Sequence, residues 1–76
     1  MRTILTHVSP RALEMSKSYA KTISECIVRI EMVEMLVRGN EMDPHIGEHV
    51  VIGQRANIKY ALDEINRYLK LDEIKN

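Results

Sequence analysis

Residues 38–44 read RGNEMDP, and this stretch decides the fold. Gly39 and Asn40 are the residue types that most readily take a left-handed backbone, the usual way for a helix to end. Asp43 followed by Pro44 is a helix start, because the carboxylate accepts from orphaned amides and proline fits the first helical position. Ser9 followed by Pro10 carries the same start signal upstream. The chain therefore parses into a helix over about residues 10–38, a turn near 39–43 and a helix over about 44–71. So short a connection makes the helices antiparallel neighbours. The expected fold is all-α, an antiparallel two-helix hairpin in a single domain spanning 1–76, with residues 1–8 as an N-terminal arm whose Ile4, Leu5 and Val8 dock onto something.

Apolar spacing supports the first helix along its whole length. Ala12, Ser16, Tyr19, Ile23, Cys26, Ile30, Val33 and Val37 alternate steps of 4 and 3, the pattern of a coiled-coil seam. Leu13, Ala20 and Ile27 widen one side of it, Met15 and Leu36 the other. A stripe so broad is more than one partner helix covers. In the second helix Val51, Ile58, Leu62, Ile65 and Leu69 form the stripe, flanked by Ala61 and Tyr68. Between Val51 and Ile58 the seam lacks an apolar residue, and Gln54 and Arg55 stand there instead. Gly53 beside them weakens the helix by about 1 kcal/mol relative to alanine and admits a close neighbour.

A chain of 76 residues buries little surface and gains little stability from one core. Cys26 is the only cysteine, which rules out an intrachain disulfide and a cysteine-based zinc cluster. Oligomerisation is the remaining source of stability, so a four-helix or larger homo-oligomeric bundle is expected. Lysine plus arginine equal aspartate plus glutamate at 11 each, and this balance argues against nucleic acid as a partner. No apolar run approaches the roughly 20 residues that span a bilayer, and MRTILTHV fails as a secretory signal, so no membrane partner and a cytoplasmic location are expected.

Arg55 is the sharpest functional candidate. An unpaired guanidinium on a buried seam costs several kcal/mol, so it needs an acidic partner, a route to solvent or a bound anion. Glu25 and Glu31 lie within about a turn of it across the hairpin, in this chain or a symmetry mate. For a phosphate, arginine is the best-suited side chain, and Gln54, Asn57 and Lys59 would add hydrogen bonds and charge. Tyr19, Tyr60 and Tyr68 are the only aromatics, able to stack on a base, although Tyr19 and Tyr68 fall at core spacing. Lys17 and Lys21 flank Tyr19. His45 to His49, HIGEH, fits the H-x-x-E-H zinc pattern, but two histidines lack a third ligand and Gly47 between them points to an exposed pair. No metal site, no cofactor and no catalysis are expected.

The stretch HVVIGQRANIKYALDEINRYL, residues 49–69, resembles the last helix of the phage anti-CBASS cyclic-oligonucleotide sponges. The likeness covers about 20 residues and the helix–turn–helix layout. It matches Arg55 to the family's arginine and Ile58 to the aliphatic after it, while Ala56 departs from the family's threonine. Tyr19 and Lys21 are the nearest counterparts of the family's N-terminal tyrosine and helix-one lysine. The resemblance implies a homo-oligomer in the host cytoplasm that sequesters a cyclic nucleotide or related phosphate-containing signal without cleaving it, with Arg55, Gln54, Asn57, Lys59, Tyr19, Lys21 and Tyr60 as ligand-binding residues. A helical-hairpin module that presents its methionines to a protein partner is the alternative expectation.

Overall fold

The computed structural model describes residues 8–70, and they form two helices, α1 (Pro10–Arg38) and α2 (Pro44–Leu69). α1 starts where the serine–proline signal predicts, with the Ser9 hydroxyl accepting from the Ala12 amide at 3.1 Å. α2 starts on a doubled cap, since Asp43 Oδ2 accepts from the His45 and Ile46 amides at 3.0 and 3.3 Å. Each cap satisfies donors that the helix itself leaves open.

Between the helices, Asn40 takes the left-handed conformation at φ 60°, and Gly39 stays at φ −85°. The Asn40 amide donates to Val37 O at 3.1 Å and the Glu41 amide to Leu36 O at 2.8 Å. These two bonds make a Schellman motif, which absorbs the last carbonyls of α1 and turns the chain sharply. At its far end α2 stops at Leu69, short of the expected 71, because Lys70 adopts a left-handed conformation at φ 55°. Of the arm, only Val8 is described and is half-buried; the docking expected of Ile4 and Leu5 lies outside the described residues.

All eight predicted seam positions of α1 are buried or half-buried. In α2 the seam differs from the expected stripe: it runs Gly47, Val51, Gln54, Ile58, Ala61, Ile65 and Tyr68, an unbroken alternation of 4 and 3. Leu62, assigned to the stripe by its hydrophobicity, lies on the flank and is 49% exposed. The buried positions are mostly small, namely Ala12, Ser16, Cys26, Val33, Gly47 and Ala61. Small seam residues let the helices approach closely and leave the larger apolar side chains on the flanks. Gly47 is the point of closest approach, since a Cβ there would lie 2.7 Å from Val37 Cγ2 and 3.2 Å from Val33 Cγ1. Gly53, expected to admit a close neighbour, has nothing within 4 Å of its Cβ position.

The result is a rod of about 50 × 21 × 21 Å, two helices wide and one thick. No helix among the described residues is long and apolar enough to cross a membrane.

Candidate functional site

Contacts at the two ends fix the register of the hairpin. Gly47 sits between Val33 and Val37 near the turn, and Tyr19 meets both Tyr60 and Tyr68 toward the open end. Gln54 is thereby level with the turn of α1 that carries Cys26 and Ile30. Its Oε1 is buried and has no hydrogen-bond partner. Gln54, and not Arg55, is therefore the polar residue in the seam. One residue on a helix turns the side chain by about 100°, which takes Arg55 out of the seam and onto the flank. Arg55 is exposed and forms no ion pair among the described residues, so neither Glu25 nor Glu31 of its own chain holds it.

The other predicted ligand residues scatter for the same geometric reason. Lys59 follows Arg55 by one turn on the same face, and its Nζ is 3.0 Å from Asp63 Oδ2. Asn57 and Tyr60 project on the other side of α2, and Lys21 is exposed on α1 away from the seam. The hairpin brings Arg55 together with Lys59, and Tyr19 together with Tyr60. It does not bring the seven residues into one site.

Toward the open end the tyrosines form an aromatic cluster. Tyr19 meets Tyr60 edge to face, with ring centroids 6.0 Å apart and 72° between planes, and stacks on Tyr68 at 6.2 Å and 28°. The guanidinium of Arg67 lies 4.7 Å from the Tyr68 ring centre and donates to Glu64, with Nη2 2.6 Å from Oε1. That bond to Glu64 raises the Arg67 pKa above its ordinary value. The Tyr60 hydroxyl group beside it, then burial, raises the Tyr19 phenol from its ordinary value. The Glu64 to Arg67 spacing of three was a signal present in the sequence that marks this side of α2 as a neutralised, structured surface.

A feature that sequence reasoning missed is an open groove of about 720 Å³ at the turn end, lined by the apolar Val33, Val37 and Val51, by Gly47, and by the charged Glu34, Arg38 and Glu48. Gly47 lies on the wall of the groove, packed against Val33 and Val37. His45 and His49 are both exposed, but Gly47 between them is buried against α1. Among the described residues no group of three or more histidine, cysteine, aspartate or glutamate side chains converges as metal ligands do. In comparisons with known proteins, no family model, curated protein or solved structure matches this chain.

Proposed function

We propose that this protein is a non-catalytic helical-hairpin interaction module that works as an assembly, with a second copy of itself as its first partner. The observation that carries this reading is the mismatch between what the hairpin buries and what it leaves open. Its buried positions are mostly small, while Ile27, Val28, Met32, Met35, Ile46, Ile52, Tyr60 and Leu62 are all exposed. Apolar side chains in such number on a chain this small form patches of the kind that mark association surfaces. The test is sedimentation equilibrium on the full chain across a range of concentrations. Reversible self-association supports the reading, and a monomer throughout the range refutes it.

A second reading, the sequestering of a cyclic nucleotide or related phosphate-containing signal, is favoured by one observation. Arg55 is exposed, without an ion pair among the described residues, and next to an apolar flank that an assembly would cover. A guanidinium at such an interface suits a phosphate, with Lys59 on the same face. A thermal-shift panel of cyclic di- and trinucleotides with linear controls, run on the wild type and Arg55→Ala together, decides it. A shift in the wild type that is lost in a folded Arg55→Ala supports sequestration, and no shift with any ligand removes it.

A further inference from the structure

The flank that carries Arg55 has an internal order. On α1 the residues spaced by seven are Leu13, Ala20, Ile27 and Glu34; on α2 they are Glu48, Arg55, Leu62 and Leu69. The register set by Gly47 and Tyr19 levels Glu34 with Glu48, Ile27 with Arg55, Ala20 with Leu62 and Leu13 with Leu69. Both columns are on one side of the hairpin, because Glu34 and Glu48 line the same groove. The flank thus grades from apolar at the open end to charged at the turn, where Arg38 joins Glu34 and Glu48, with Ile27 46% and Leu62 49% exposed in the middle.

Resting on the self-association proposed above, we infer that this flank docks on the same flank of a second copy, with the two turns at the same end. Reversing the second copy would set Leu13 and Leu69 against Glu34, Arg38 and Glu48, an apolar surface against charged groups. Side by side, α2 of one copy lies along α1 of the other, and Leu62 packs on Ala20 of the partner subunit. Arg55, level with Ile27 of the partner subunit, then reaches one helical turn along to Glu31 of the partner subunit. Glu48, level with Glu34 of the partner subunit, reaches one turn past it to Arg38 of the partner subunit, which offsets that approach of carboxylates, and the two-fold axis repeats both pairs. All four side chains are exposed, and none of the four forms an ion pair among the described residues. Complementary charges placed this way fix the register of an interface whose apolar centre supplies the attraction.

Sedimentation equilibrium on charge-swapped full-length chains tests the inference. Arg55→Glu and Glu31→Arg should each raise the dissociation constant about tenfold or more, since each sets like charges opposite one another. The double variant should return it close to the wild-type value. Leu62→Glu should give a monomer, and Met32→Glu, on the other flank of α1, should leave association unchanged. An association that persists in Leu62→Glu and is lost in Met32→Glu overturns this face and leaves self-association standing. Failure of the double swap to restore association overturns the Arg55 to Glu31 pairing, including in the case where Arg55 serves a nucleotide. A wild-type monomer overturns both this inference and the proposed function.

Discussion

A Cβ placed on Gly47 would stand 2.7 Å from Val37 Cγ2, closer than packed carbons come. The helices can meet at the turn end because this position carries no side chain. Gly47→Ala should therefore destabilise the hairpin by about 1–3 kcal/mol through overpacking, despite alanine's better helix propensity. Gly53 is the internal control, in open space on the same helix. Gly53→Ala should stabilise by about 1 kcal/mol, and urea denaturation of the two variants should move the midpoint in opposite directions.

Gln54 occupies a seam position with a buried, unpaired carbonyl oxygen. An unsatisfied acceptor of this kind costs about 1–3 kcal/mol. Gln54→Leu should regain part of that and raise the thermal midpoint. A fall in midpoint would mean that the amide has a partner in the assembled protein.

Asp43 accepts two amides at the start of α2. Asp43→Ala should cost about 1 kcal/mol, and Asp43→Asn or Asp43→Ser should recover most of it, because an uncharged oxygen caps nearly as well. Circular dichroism melts of the three variants provide the comparison.

Tyr60 first, and then burial, hold the Tyr19 phenol above its ordinary pKa. Its proton is held more tightly in the folded chain than in the unfolded one, so this contribution to stability is whole below pH 10 and is lost as the pH rises through the folded-state value. Ultraviolet titration should resolve one tyrosine later than the others, and Tyr60→Phe should bring it back toward its ordinary value.

The register of the tyrosines and the exposure of Arg55 show where sequence pattern stops. RGNEMDP and the Ser9–Pro10 start determine both helices and the turn between them, because caps and left-handed residues act within a few positions of backbone. The alternation of 4 and 3 from Ala12 to Val37 determines the buried face of α1 for the same local reason. In α2, a reading that follows hydrophobicity places Leu62 in the stripe and leaves a gap at Gln54. Packing reverses both, because the seam is chosen by which residues let the helices come close: Gly47 and Ala61 win over Leu62. That choice is made jointly by two helices and is written in neither alone. It moved Arg55 out of the seam and parted the residues expected to share a ligand. It also set the groove lined by Gly47 and left Ile27 and Leu62 exposed on the flank of the hairpin.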